Sequence, residues 1–126
     1  MTKTYHGAIA FSISAVSDEE AVGTMPIGPG VLNPFGTVHA GAMTWFADVI
    51  ATSLALNGVD PSEGMASFPV AVTLNAQLLG NRKEGVFTAT ARWVKKGRRV
   101  STIRTEVTDE SGAVMMDLTS THVSAR

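Results

Sequence analysis

The sequence predicts an α+β domain: an antiparallel sheet of about six strands wrapped around one long buried helix. Three observations predict it. A single long segment, Ala40 to Leu56, is apolar except for Gly41, Thr44, Asp48, Thr52 and Ser53. Two short alternating stretches precede it, and everything after a second loop alternates in the manner of strands. A lone helix and a sheet of this size bury each other when the sheet curls around the helix.

The first strand is expected over residues 7–15 (GAIAFSISA), with Ile9, Phe11, Ile13 and Ala15 on one face. Ser17 to Glu20 form a polar turn, and Ala21 to Ile27 return as a second strand. A loop follows that is rich in turn-forming residues, namely Pro26, Gly28, Pro29, Gly30, Asn33, Pro34 and Gly36. The helix then opens near His39. Its apolar residues lie on nearly every side, which predicts burial all round rather than one wetted face. Asn57-Gly58 and Asp60-Pro61 are its expected stop signals.

Phe68 to Leu79 is predicted as a strand with Val70, Val72, Leu74 and Ala76 on one face and Ala71, Thr73, Asn75 and Gln77 on the other. Residues 80–85 turn the chain. Val86 to Lys95 runs through a tight hairpin at Lys96-Gly97 into Arg99 to Thr108, and residues 109–112 turn it into Ala113 to Val123. Neither a repeat nor a linker interrupts the chain, so residues 1–126 are expected to be one domain.

Composition narrows the function. Apolar residues make up 44 % and charged residues 17 % of the 126 positions, a slightly greasy balance that suggests some apolar surface is covered between subunits. A net charge of −1 gives no general pull toward nucleic acid or an anionic membrane. The absence of cysteine removes disulfide scaffolds, thiolate metal sites and a Cys nucleophile. His6 and His122 lack ligand spacing, so no metal is expected. The opening residues carry one early lysine and no sustained apolar stretch, which does not read as a signal peptide. The least polar window, Trp45 to Leu56, is shorter than the roughly 20 residues a membrane span needs. A cytoplasmic location is the expectation.

The residue that demands an account is Asp48. A carboxylate in the middle of a buried helix is costly unless paired, hydrogen-bonded or used. Thr44, Asp48 and Thr52 fall at i, i+4 and i+8 and so stack as one polar stripe. The bland reading makes Asp48 a structural carboxylate held by those threonines; the functional one makes it catalytic.

Asn33, followed by Gly36-Thr37-Val38-His39-Ala40-Gly41-Ala42 and then by Asp48 within the helix, resembles the PaaI-like branch of the hotdog-fold acyl-CoA thioesterases, in the 4-hydroxybenzoyl-CoA thioesterase superfamily. That family carries an N…G-x-x-H-G-G segment at the helix start and an acid about two turns further on. The order of elements matches along nearly the whole chain. The resemblance implies thioester hydrolysis in a dimer or dimer of dimers, with coenzyme A as part of the substrate and no separate cofactor. It places Asn33 and His39 beside the thioester, with His39 ordering the loop rather than acting as base. It also implies a Ser or Thr at the position of Ala71 to hold water; here Thr73 is the expected same-face substitute. Arg82-Lys83 and Lys95, Lys96, Arg98 and Arg99 correspond to turns that contact the nucleotide and phosphates of coenzyme A. The bland reading of these cations is solvated hairpin ends.

Helix chemistry supports the same reading independently. A helix N-terminus presents unpaired N–H groups and a positive dipole end, so the Ala40 amide, beside Gly41, is the candidate oxyanion donor. Such donors are worth about 2.7–4 kcal/mol each. Asp48 lies about 12 Å along the axis from that amide and cannot serve it. A second helix, antiparallel across a two-fold axis, can. The rival readings are a non-catalytic acyl-CoA-binding module and a hotdog hydratase or dehydratase.

Overall fold

The computed structural model describes residues 2–56 and 68–124. The chain runs through β1 (Ser12–Val16), β2 (Glu20–Pro26), a 3₁₀ turn (Pro29–Val31), α1 (Ala40–Ala55), β3 (Pro69–Leu78), β4 (Val86–Lys95), β5 (Val100–Thr108) and β6 (Val114–Ser124). The six strands form one antiparallel sheet in the order β1-β2-β4-β5-β6-β3, and α1 packs across its concave face. Two strands, a helix and four strands is the predicted order. The stop signals Asn57-Gly58 and Asp60-Pro61 lie outside the described residues.

Strand alternation sets the core. Ala21 and Met25 of β2, Phe87, Ala89 and Ala91 of β4, Ile103 and Val107 of β5, and Met116 and Leu118 of β6 all point at the helix and are buried. They meet Met43, Phe46, Ala47, Ile50, Ala51 and Leu54, which recur at i, i+3, i+4, i+7, i+8 and i+11 along α1. Gly23 is small because the Ile50 side chain and the Ser12 carbonyl occupy the space a Cβ would need.

Three expectations need correction. First, α1 is buried along one stripe, not all round: Trp45 is half exposed, and Thr44, Asp48, Val49 and Thr52 are only partly covered. The sheet reaches one side of the helix and stops. Second, β1 begins at Ser12, because residues before it leave the ladder and Ala8 N–H instead bonds the Gly30 carbonyl at 3.0 Å. A bulge between Ile13 and Ala15 then shifts the alternation, so Val16 rather than Ala15 shares the inner face with Ile13.

Third, β3 carries a bulge of its own. Ala71 pairs with His122 but Thr73 pairs with Thr121, leaving Val72 as the extra residue. Ladder partners share a face, and His122 is buried on the helix side. Ala71 therefore faces the helix, with Leu74 and Ala76, whereas Thr73 faces away. Period-2 reading across a bulge inverts every face beyond it.

Candidate active site

The loop before the helix is built by its own side chains. Asn33 Oδ1 accepts from the N–H groups of Phe35 (3.0 Å) and Thr37 (3.1 Å), and its Nδ2 donates to Thr37 Oγ1 at 2.9 Å. Gly36 supplies the left-handed residue of this turn, at φ 84°. The Asn33 amide, expected beside the substrate, is thus turned inward on its own loop. Asn81, from the turn after β3, clamps the same loop from across the fold. Its Oδ1 accepts from Val38 N–H at 3.0 Å and its Nδ2 donates to the Val38 carbonyl at 2.8 Å.

His39 is the N-cap of α1, with extended backbone at φ −63° and ψ 134°, and its Nδ1 accepts the Gly41 N–H at 3.0 Å. A nitrogen that accepts there is unprotonated, so the neutral ring carries its proton on Nε2. The cap consumes the Gly41 amide, while the Ala40 N–H has no hydrogen-bond partner among the described residues. Tyr5, His6, His39, Gly41, Ala42 and Trp45 are among the residues lining a cavity of about 350 Å³ at this helix end.

Asp48 opens onto a different cavity, of about 390 Å³, lined by Ile13, Asp48, Val49, Thr52, Ser53, Leu56 and residues 68–71. The helix N-terminus and Asp48 of one chain therefore do not share a cavity. The threonine stripe does not hold the carboxylate either, since Thr44 Oγ1 donates to the Ala40 carbonyl at 2.8 Å. Asp48 Oδ1 is buried without a hydrogen-bond partner among the described residues. Burial holds the Asp48 carboxyl above the ordinary carboxylate range, and the nearby His122 acts in the opposite direction. Burial likewise holds His122 below the usual histidine value, opposed by Asp48.

His122, without ligand spacing in the sequence, and Ser120 two residues before it form a further polar pair near Asp48. Both are buried, and Ser120 Oγ lies 2.8 Å from His122 Nε2. The signal was present in the alternation, because Met116, Leu118, Ser120 and His122 are successive inner-face positions of β6.

The cations divide. Arg82 pairs with Asp109 at 2.8 Å and donates to the Asn81 carbonyl at 2.6 Å. Lys95, Lys96, Arg98 and Arg99 are exposed and have no ion-pair partner among the described residues; Lys96 Nζ lies 5.1 Å from the centre of the Trp93 ring. Their hairpin adjoins the end of β6 through the Ser124 N–H to Arg99 carbonyl bond (2.9 Å), and Ser124 in turn pairs with Pro69. The free cations thus stand at the end of the sheet where the Asp48 cavity opens. Among the described residues no group of three or more His, Asp or Glu converges on a metal-sized site, and no helix is long and apolar enough to cross a membrane.

Comparison with known proteins gives the family of the chain. The profile of the thioesterase superfamily matches residues 35–116, which span the end of the loop before the helix, the helix itself, β3 to β5 and the start of β6. The chain belongs to that superfamily, as a hotdog-fold thioester hydrolase. It is 30 % identical over 110 residues to the Bacillus subtilis protein "Putative esterase ComA2", covering 87 % of this chain and 85 % of that one. It is 27 % identical over 103 residues to the 1,4-dihydroxy-2-naphthoyl-CoA hydrolase of Listeria monocytogenes, covering 82 % and 80 % of the two chains. In fold it matches the structure of a hypothetical thioesterase protein with coenzyme A from Streptococcus pneumoniae at a TM-score of 0.82, with 20 % identity and 97 % coverage of each chain.

Proposed function

We propose that this protein hydrolyses acyl-CoA thioesters at two composite sites in a homodimer. The observation that carries the proposal is the separation of the two halves of the chemistry on one helix. The unpaired Ala40 N–H, between two residues that line the cavity at the helix start, and the unpartnered Asp48 carboxylate, which lines another cavity, are about 12 Å apart along the axis. An antiparallel partner helix brings each Asp48 to the other subunit's Ala40. The Ala40 amide then stabilises the oxyanion that develops on the thioester carbonyl. Asp48 of the other subunit either activates water as general base or attacks as nucleophile.

Two features support a dimer. The open side of α1 leaves Trp45 half exposed and Asp48 and Val49 only partly covered. The edge strand β3 is ten residues long, contains no charged residue and exposes Val72, Leu74 and Leu78. Edges of that kind are ordinarily blunted by charge or covered by another chain. Pairs of such dimers then make the dimer of dimers. For the substrate, the free cations Lys95, Lys96, Arg98 and Arg99 fit the phosphates of coenzyme A. A CoA thioester is also what the name of the Listeria relative specifies, and coenzyme A accompanies the Streptococcus structure.

The test is thiol release from a panel of short, long and aromatic acyl-CoAs by wild type and Asp48→Ala. A loss of about 10² or more in turnover, with binding retained, supports the proposal. Unchanged turnover in Asp48→Ala sinks it, and binding without turnover in the wild type would indicate a binding module. Single-turnover reaction in ¹⁸O-labelled water separates the two roles of Asp48: the general-base route puts the label into the released acid, whereas hydrolysis of an enzyme-linked anhydride at the Asp48 carbonyl leaves the label on Asp48 and an unlabelled enzyme oxygen in the acid.

A further inference from the structure

The space between α1 and the sheet holds a pair of ionisable groups that the hydrolytic reading leaves half explained. Asp48 is the only ionisable residue of α1, and β3 has none. On the sheet, Glu20 and Arg92 pair with each other on the outer face, as do Arg104 and Asp117, and Glu106 lies across the ladder from Asp117 on that face. Lys95 pairs with Thr102 in the outer register. His122 is thus the one ionisable side chain on the inner face among the described residues. Its ladder partners there, Ala71 and Ser101, are uncharged, and the next cations, Arg98 and Arg99, are exposed in the β4–β5 connection.

Asp48 and His122 each carry a buried atom without a partner, Oδ1 and Nδ1 respectively. They lie on packed elements, and Ala71, which lines the Asp48 cavity, is the ladder neighbour of His122. The other ring nitrogen of His122 is fixed by Ser120 at 2.8 Å, in a place closed to solvent. A buried imidazole is neutral by preference, so it has one proton to place. If the Ser120 hydroxyl donates to Nε2, that proton must reside on Nδ1.

We propose that Ser120 and His122 position Asp48: the Ser120 hydroxyl holds the ring in its Nδ1–H form, and that N–H stabilises and orients the ionised carboxylate. This rests on the reading of Asp48 as the acid of the site, and makes His122 a positioning residue that acts through it. Burial on its own drives Asp48 toward the protonated form, which is neither base nor nucleophile, and His122 opposes that drift. The two residues are 74 apart in sequence, and the packing of α1 against the sheet sets His122 beside Ala71, which lines the Asp48 cavity.

The test follows the Asp48 carboxyl by ¹³C NMR titration alongside the pH profile of kcat, in wild type, His122→Gln, Ser120→Ala and His122→Asn. His122→Gln puts its donor near the Nε2 position and leaves Nδ1 empty, whereas His122→Asn keeps a donor N–H near Nδ1. Expected are an Asp48 titration and an acid limb of kcat that move together to higher pH in His122→Gln and Ser120→Ala, with KM little changed. His122→Asn restores both toward wild type. Ser120→Ala removes one oxygen and keeps the test available should His122→Gln misfold. An Asp48 titration that is the same in every folded variant overturns the proposal even if Asp48→Ala is inactive. A titration that moves while Asp48→Ala stays active upholds the coupling and overturns the catalytic reading instead.

Discussion

Ala71 and Thr73 stand on opposite faces of the sheet, because the β3 ladder spends Val72 as a bulge between them. Ala71 looks into the cavity that Asp48 lines, and Thr73 looks away from it. Only the first position can place a hydroxyl beside the carboxylate. Ala71→Ser is therefore expected to raise kcat on acyl-CoA substrates. One added hydrogen bond of about 1 kcal/mol is worth roughly five-fold. Thr73→Ala is expected to leave kcat unchanged, and the reverse pattern would place the inner face wrongly.

The backbone of residue 39 makes a clean test of the Ala40 amide possible. His39 already has the extended φ and ψ that the residue before a proline requires, and the first helical position tolerates proline. Ala40→Pro should fold normally by circular dichroism yet lose about 10²–10³ in kcat, as removal of one oxyanion donor does. Mixing refolded Ala40→Pro and Asp48→Ala subunits should return part of the activity, since one site of each mixed dimer is then intact. Two inactive variants that stay inactive when mixed would rule out the shared site.

Asp48 should weaken the fold as it ionises. Its folded pKa is raised above the ordinary value of 3.8, so the folded protein binds that proton more tightly than the unfolded chain does. The resulting loss of stability is absent below about pH 3.8 and grows as pH rises through the folded value. Asp48→Asn lifts this cost. Its Tm should match wild type in acid and exceed it increasingly toward neutral pH, as followed by thermal melts across that range; parallel curves would contradict the burial argument.

His39 holds the helix start through one hydrogen bond to the Gly41 N–H. Losing an N-cap of this kind costs about 1 kcal/mol, so His39→Ala should lower the urea midpoint accordingly. His39→Asn, whose side-chain oxygen caps well, should recover most of that loss. A larger fall in kcat than in stability, seen in His39→Ala and not in His39→Asn, would show that the cap also aims the neighbouring Ala40 amide.

The cations of the β4–β5 connection should act on KM. Alanine at Lys96, Arg98 or Arg99 is expected to raise KM for acyl-CoA a few-fold each, about 0.5–1 kcal/mol for an exposed charge, and less so at high salt. N-acetylcysteamine thioesters, which lack the phosphates, should be hydrolysed with unchanged KM. Arg82→Ala should cost stability instead, because its guanidinium already serves Asp109.

What the sequence determined by itself was local and periodic. The apolar run of α1, the Gly and Pro loop before it and the alternating strands after it are written in patterns of 3.6 and 2, and they specify the element order and the hotdog architecture. The pairing of a capped helix start with an acid two turns along is also local, and so Ala40, His39 and Asp48 could be singled out. The tertiary structure decided everything that depends on a break in period or on distance. Bulges at Ser14 and Val72 re-aim the faces of β1 and β3, and a bulge leaves no trace in hydrophobicity. Asn33 finds its partners within its own turn, Arg82 pairs with Asp109 in a neighbouring turn, and Asn81 reaches Val38 across 43 residues of chain. The neighbour of Asp48 is likewise a matter of packing. Residue 48 and residue 122 are brought near each other because α1 packs against the inner face of the sheet, and that packing is a property of the whole fold.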